Sequence, residues 1–397
     1  MVTLTVQNFK SIDDLELELG RVNLLIGENG CGKTSILEAI GMAAAAANLD
    51  LSTGVLKARG IRITDPSWMR SAFEERTRSM PVQLALISEA TAFLAILTHD
   101  NTPYGVWRDQ SVAALSSKIN VPNEALEGLL HLVRDHFPNT RTLPATSIDF
   151  PEIPGSVAEA PDTIKQLYAA AGLVAFAKRL GLNKYLAYAP REDVLRDLAR
   201  DSDVEPIGVH GEGLFKLLEV LDSEGKLPAV KEQLALLGWF DDISIAAGVN
   251  PSSRTLQLRD IFLDGHTPFD QRSANEGFLF VLLYACLLIS PHTPRFFAVD
   301  NVDSALNPKL CAGTVRMFAE LTRQYDKRVV LTAHNPGALD GLNLHDDDIR
   351  LFVIYRNTEG KTQARRIMPV DVSPGSEPVR LSEAFLRGYL GALPTNF

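Results

Sequence analysis

No feature of this 397-residue chain restricts its fold as strongly as the segment Gly27-Glu28-Asn29-Gly30-Cys31-Gly32-Lys33-Thr34. It matches G-x-x-x-x-G-K-[ST], and its surroundings fit the pattern's mechanics. The residues before it, Val22 to Ile26 (VNLLI), form a continuous apolar run of the kind expected for a strand buried on both faces. The residues after it, TSILEAIGMAAAAA, are rich in strong helix formers. Buried strand, glycine-rich loop and helix in that order make a phosphate cradle. The glycines let backbone N–H groups point at phosphate oxygens, and the helix N-terminus adds a favourable dipole. Asn29, Gly30, Cys31, Gly32, Lys33, Thr34 and Ser35 are the residues expected to line a bound nucleotide. Lys33 is placed to bridge the terminal phosphates and Thr34 to ligand magnesium. Cys31 is read as a small residue that fits the loop.

Around this anchor the hydrophobic periodicity switches repeatedly. Val2, Leu4 and Val6 alternate, as do Leu15, Leu17 and Leu19, giving strand, turn and strand ahead of VNLLI. The segment from Pro81 to Trp107 fits two or three antiparallel strands, although its alanine-rich stretches are equally compatible with helix. Four prolines between Thr140 and Asp162 mark a surface loop or linker. Lys184 to Ala189 (KYLAYA) reads as a short strand, and EDVLRDLA and residues 211–238 as largely helical, with a turn at Ser223-Glu224-Gly225. Near the other end RFFAVD, RVVLTAH and IRLFVIYR are compact strand candidates separated by helical or turn segments, an alternation that implies an α/β core. The first of them ends in Asp300, the position of a carboxylate that holds a P-loop's metal from a neighbouring strand.

Composition narrows the function classes. With 46% apolar and 22% charged residues the chain is an ordinary globular protein, neither disordered nor fibrous. A net charge of −10 supplies no global field for nucleic acid or anionic lipid, so DNA contact would need a local patch, for which Arg70, Arg76, Arg78, Arg191 and Arg196 are the loose candidates. The longest apolar run, Phe278 to Ile289, has twelve residues, fewer than the roughly 20 of a membrane helix, and reads as a core helix. Cys31, Cys286 and Cys311 are widely spaced, and the N-terminal residues lack a signal-peptide pattern. Together these features place the protein in the cytoplasm without structural zinc or a membrane partner.

Three further segments, in order, make the chain resemble the ATP-binding-cassette superclass of P-loop ATPases, and more narrowly the RecF and overcoming-lysogenisation-defect type. Asn8 to Ile12 (NFKSI) is similar to the strand-turn that precedes the P-loop in this family and helps hold the nucleotide. Ser273-Ala274-Asn275-Glu276-Gly277, followed by the apolar helix, resembles the signature motif. Leu331-Thr332-Ala333-His334-Asn335 resembles the strand ending in the switch histidine. Asp300 lies 27 positions after Ser273, room for one helix and one strand, and His334 follows 34 after Asp300. Ser304-Ala305-Leu306-Asn307-Pro308 resembles the loop that crosses the family's dimer interface. At the position of the family's glutamine-bearing loop the chain has Tyr188-Ala189-Pro190-Arg191, with no Gln.

The resemblance implies an ABC-type ATPase head of the α/β class, with a mixed sheet core, an antiparallel β portion and an inserted helical lobe. Residues 1–150 and 291–397 would form the nucleotide-binding lobe and residues 151–290 the helical lobe. It also implies ATP and Mg2+ as cofactors, with Thr34 and Asp300 as metal ligands. Two ATP molecules would join a head-to-tail homodimer or higher oligomer, in which Ser273, Asn275, Glu276 and Gly277 of one copy face the nucleotide on the other. Lys33, Asp300, Asn301 and His334 form the expected catalytic set.

One departure changes the expected chemistry. Where the family has a glutamate after the metal-binding aspartate, to polarise the attacking water, this chain has Asn301. An amide orients water but does not accept its proton, a loss of roughly 10²–10⁴ in rate, so hydrolysis is expected to be slow. Asp303, two positions further on, is the alternative base. Only 49 residues follow Asp348, too few for the Toprim nuclease domain of related ATPases, and the Asp346-Asp347-Asp348 cluster reads as a solvated turn. Stand-alone heads of this type resemble the ATPase subunits of bacterial anti-phage systems, in which a neighbouring gene supplies a nuclease or toxin effector. The alternative is a RecF-like DNA-repair or DNA-clamping ATPase.

Overall fold

The computed structural model describes residues 2–88, 91–102, 105–109, 112–115, 173, 175–197, 205–246, 255–263, 268–369 and 380–390. The proline-bearing stretch at 140–162 lies outside them. The chain forms two compact units, one of Met1–Gly20, Glu28–Tyr185 and Phe352–Arg366, the other of Arg21–Gly27, Leu186–Leu351 and Ile367–Phe397.

In the first unit, β1 (Val2–Phe9) and β2 (Ile12–Leu19) form an antiparallel hairpin. The next strand in sequence, β3 (Val22–Ile26), belongs to the second unit. Strands β4 (Val82–Ser88), β5 (Thr91–Thr98), β6 (Arg108–Asp109) and β7 (Val112–Leu115) extend the hairpin in the order β2-β1-β4-β5-β6, with β7 also pairing with β5. All of these pairings are antiparallel, so the strand reading of Pro81 to Thr98 holds over the helical one. Helix α1 (Lys33–Ala47) packs on β1, β4 and β5. Its five consecutive alanines, Ala43–Ala47, are wholly buried, and small side chains allow such close approach of helix to sheet. Two short helices, α2 (Thr53–Ala58) and α3 (Pro66–Met69), follow.

In the second unit β3 lies beside two later strands, in a sheet that begins with β8 (Ala187–Tyr188). Helices α4 (Glu192–Arg196), α5 (Leu214–Ser223) and α6 (Leu227–Leu234) come next, then an antiparallel sheet of β9 (Phe240–Ala246), β10 (Thr255–Asp260) and β11 (Phe269–Asp270). Helix α7 (Glu276–Ile289) leads to β12 (Phe296–Val299), α8 (Pro308–Gln324), β13 (Arg328–Ala333) and β14 (Ile349–Arg356). The main sheet has the order β14-β3-β13-β12-β8, with β3, β13, β12 and β8 parallel. Continuous apolar strands such as VNLLI and FFAV suit burial on both faces. Strand β14 continues into the first unit, where a tight turn joins it to β15 (Thr362–Ile367), so the sheet is mixed. A last helix, α9 (Leu381–Leu386), returns to the second unit.

Helix α7 is the centre of this second core. Every residue from Gly277 to Ile289 is buried, as an all-round apolar helix requires, with α4, α5, α6 and α8 packed against it. At its C-terminal end the buried Lys327 donates to the carbonyls of Ser290 (2.7 Å), Thr293 (3.0 Å) and Pro294 (3.3 Å) and to Thr293 Oγ1 (2.9 Å). A cation there offsets the negative end of the helix dipole and satisfies the carbonyls around it. Among the described residues no helix is long and apolar enough to cross a membrane.

Candidate functional site

The glycine-rich loop follows β3 directly. Gly30 and Gly32 have φ of 75° and 109°, conformations that L side chains rarely adopt. Gly32 is also crowded: a Cβ there would stand 2.3 Å from Thr362 Oγ1 and 2.9 Å from Ser11 Oγ. The crowding has a purpose in the hydrogen bonding. Thr362 Oγ1 donates to the Cys31 carbonyl (2.8 Å) and lies 2.8 Å from Ser11 Oγ, while Thr362 N donates to Ser11 O (2.8 Å). Arg356 Nε donates to the Gly30 carbonyl (2.8 Å), and Lys33 Nζ to the Glu28 carbonyl (2.9 Å). Three loop carbonyls, those of Glu28, Gly30 and Cys31, are thereby tied back, which leaves a loop suited to presenting N–H groups to an anion. Helix α1 then starts with Ile36 N donating to Gly32 O (3.1 Å). Asn29 and Gly30 are exposed, Gly32 and Thr34 half-buried, and Cys31, Lys33 and Ser35 buried. Burial pushes the Cys31 thiol up against the lowering effect of Lys33, so it stays protonated at neutral pH.

The Asn8–Ile12 segment braces this loop's surroundings. Asn8 takes a left-handed φ of 57° and donates to the carbonyls of Thr77, Met80 and Pro81 at 2.9–3.1 Å. Lys10 Nζ reaches Glu38 Oε2 on α1 at 2.6 Å, and Glu38 Oε1 accepts from Arg62 Nε at 2.9 Å. Burial lowers the Lys10 ammonium's pKa, opposed by Glu38.

In the second unit, β12 delivers Asp300 to a loop stitched onto the end of β13. Thr332 Oγ1 donates to Asp300 Oδ1 (2.6 Å) and accepts from Asn301 N (2.8 Å), and Val302 N donates to Thr332 O (2.9 Å). Asn301 sits in the left-handed region at φ 55°, where asparagine is among the most tolerated non-glycine residues. Asp303 Oδ2 accepts from the backbone N–H groups of both His334 (2.8 Å) and Asn335 (2.5 Å). His334 is exposed and Asp300, Asn301 and Asp303 are half-buried.

The same unit carries the signature-like segment at the start of α7. Asn275 caps the helix by accepting from Phe278 N (2.8 Å), which leaves Ser273, Asn275 and Glu276 exposed and Gly277 buried. Arg196 donates to Glu192 (2.6 Å) and to the carbonyls of Gln271 (3.2 Å) and Arg272 (2.8 Å). Its bond holds the Glu192 carboxyl below the usual range, while the hydrogen bond from Glu276 to Glu192 raises the Glu276 carboxyl above it.

Residues 3–91, spanning β1 to the start of β5 and including the loop and α1, match the family model described as an AAA domain. No curated protein matches the chain. Among solved structures the chain is similar to the SMC head bound to the C-winged helix domain of ScpA, at 11% identity and a TM-score of 0.50, covering 92% of this chain and 97% of that one. The fold is that of an SMC head. Two further matches have TM-scores below 0.5: the SMC head domain from Thermotoga maritima (14% identity, 93% and 98% covered, TM-score 0.42) and the SMC head with an extended coiled coil bound to the C-terminal domain of ScpA, derived from Pyrococcus furiosus (10%, 93% and 97%, TM-score 0.48).

Within this fold, each arginine offered above as a loose DNA contact has an intramolecular partner. Arg70 is 1% exposed, donates to Arg78 O, Asn101 Oδ1 and His99 O at 2.6–2.9 Å, and lies over the Trp107 ring, so it belongs to no surface stripe. Arg76 pairs with Glu74, Arg78 lies over Trp68, and Arg191 pairs with Asp193. Two members of the acidic triplet are likewise engaged, Asp346 and Asp348 pairing with Arg323. Among the described residues no cluster of three or more His, Cys, Asp or Glu side chains is arranged to hold a metal. Sequence reasoning missed Arg356 and Thr362, whose positions gave no local signal, the bonds between Thr362 and Ser11 of the NFKSI segment, and the clamp that Asp303 forms.

Proposed function

We propose that this protein is an ATP-binding, slowly hydrolysing ABC-type ATPase that dimerises around ATP and acts as a regulatory subunit for an effector protein in anti-phage defence. The observation that carries the nucleotide half is the loop at 27–34, whose carbonyls are tied back by Lys33, Arg356 and Thr362. In this reading Lys33 contacts the terminal phosphates, while Thr34 and Asp300 offer the oxygen donors that Mg2+ prefers. Magnesium would neutralise charge developing on the phosphates. Ser273, Asn275, Glu276 and Gly277 meet the nucleotide held by a second copy, and His334 reads its own copy's terminal phosphate.

Slow turnover follows from Asn301. Its amide can hold a water but not remove its proton, and its left-handed backbone is one that glutamate occupies at a cost of about 1–3 kcal/mol. A long-lived ATP-bound dimer is the natural state of such a switch. The effector role rests on the resemblance to stand-alone heads; that an SMC head is bound to a ScpA domain in the comparison structure makes a protein docked on this head a reasonable expectation. The partnered arginines give the DNA-clamping alternative no support.

Single-turnover hydrolysis of MgATP, followed together with light scattering, tests this reading. Wild type should dimerise on ATP and turn over slowly, and Asn301→Glu should turn over faster. Rapid wild-type hydrolysis with no response at position 301 would sink the switch and leave an active ATPase with another water-positioning group.

A further inference from the structure

The loop leaving β12 is bonded to the switch segment at each position from Asp300 to Asp303, and one of those bonds is unlike the others. Thr332 secures Asp300, Asn301 and Val302 through its hydroxyl and carbonyl. Asp303 reverses the direction: its side chain reaches across to the next strand's end and takes two consecutive backbone N–H groups, those of His334 and Asn335, on one oxygen. Asn335 in turn accepts from Gly337 N (2.9 Å), and Gly337 lies so close to Pro308 that a Cβ would stand 2.7 Å from its Cα. On its other side the loop meets the signature glycine, since a Cβ on Gly277 would lie 3.4 Å from the Ala305 carbonyl. The segment from Asn301 to Pro308 therefore touches both the start of α7 and the backbone that presents His334.

We propose that Asp303 is a positioning residue for nucleotide hydrolysis, which acts through His334 by clamping the switch backbone to the loop that abuts the signature segment, and that it is not the proton acceptor replacing the missing glutamate. This rests on the ATPase reading above. The chemistry favours a clamp: Oδ2 is engaged by two N–H donors, and charge-assisted bonds of this kind are roughly twice as strong as neutral ones. A carboxylate so engaged holds a peptide segment in place, and any proton it accepted at that oxygen would break the bonds that position it.

Two variants separate the roles. Asp303→Asn keeps an oxygen able to accept both N–H groups but cannot take a proton; Asp303→Ala removes both functions. Two measurements are made on the full-length protein. Deuterium exchange across residues 332–337 without nucleotide reads the clamp, and MgATP single-turnover rates over a range of ATP concentrations separate the maximal rate from half-saturation. Asp303→Ala should lose amide protection and about tenfold or more in maximal rate, with half-saturation little changed, while Asp303→Asn restores both to within about threefold. An Asp303→Asn protein as slow as Asp303→Ala, with its amides still protected, would overturn the proposal in favour of Asp303 as a base. Loss of protection in Asp303→Ala with an unchanged rate would overturn it in favour of a purely structural contact. A wild type inert toward MgATP would overturn the ATPase reading itself, while the exchange data would still decide the clamp, which falls if Asp303→Ala leaves protection intact.

Discussion

The loop at 27–34 and the loop at 300–307 are built on opposite plans. The first is held by side chains from distant parts of the chain: Thr362, itself bonded to Ser11, and Arg356 fix two of its carbonyls from outside, and the loop itself supplies mainly glycine freedom and Lys33. The second holds itself, through residues that belong to the loop or to the end of the adjacent strand β13: Thr332, Asp300, Asn301 and Asp303. One is arranged to receive an anion. The other is arranged to keep a precise backbone but has an amide where a base is expected. On the ATPase reading proposed above, a binding loop of this kind beside an amide at position 301 suits a protein switched by occupancy rather than by turnover.

The sharpest way to break this contrast is to remove its cation. Lys33→Ala should lower MgATP affinity by about 100-fold or more, because a charge-assisted contact to phosphate from a buried ammonium is worth several kcal/mol. ATP-dependent dimerisation should vanish with it, while the melting temperature without nucleotide moves little. Isothermal titration gives the affinity, and near-wild-type binding would remove the loop from the account.

Next in size is the gain expected at the self-held loop. Asn301→Glu supplies a general base worth about 10²–10⁴ but pays for a left-handed backbone, so a net acceleration of about ten- to a hundredfold is expected in single turnover. Asn301→Asp tolerates the same φ better and places its carboxylate one methylene short, which separates backbone cost from reach. Equal, unaccelerated rates for both variants would mean that proton removal does not limit hydrolysis.

A smaller effect tests whether the outside ties matter. Thr362→Ala removes the bonds to Cys31 and Ser11 and should cost about 1–2 kcal/mol, read as roughly a tenfold weaker affinity for MgATP, with Thr362→Ser restoring it. Unchanged affinity in the alanine variant would show that the glycine loop holds its shape alone.

What could be read from sequence divides along the same line. VNLLI, the glycine loop and α1 carry their information locally, and so does α7, whose apolar residues exclude any exposed face. The strands ending in Val299 and Ala333 were legible as apolar runs, and Asp300 and His334 as the residues just beyond their ends. The ties were not legible: Thr362 stands 331 positions from Cys31, and a threonine in TQARRI has the look of any edge-strand residue. Arg70 misled for a related reason, since a guanidinium looks like surface charge until carbonyls from His99 and Arg78 close around it. The β9–β11 sheet was not read from the sequence, although Leu256 and Leu258 alternate with polar neighbours as a half-buried strand should.

The smallest expected effect lies at the signature segment, where the second copy's nucleotide would approach. Glu276 stands in the first turn of α7, and its hydrogen bond to Glu192 keeps its carboxyl above the usual range. The sign follows directly. A raised carboxyl is protonated over a pH interval in which a free glutamate is already charged, so acidification toward its pKa removes one negative charge from the helix N-terminus. A phosphate drawn to that terminus then meets less repulsion, and ATP-dependent dimerisation should tighten by about two- to fivefold as pH falls through that interval. Glu276→Gln should hold the tighter value at every pH. Glu192→Gln, by removing the partner that raises Glu276, should move the response to lower pH. Sedimentation or light scattering across pH 4.5–7.5 with MgATP reads all three proteins. A slope that persists unchanged in Glu276→Gln would assign the titration to a group other than Glu276, and would leave Glu276 with no part in the assembly.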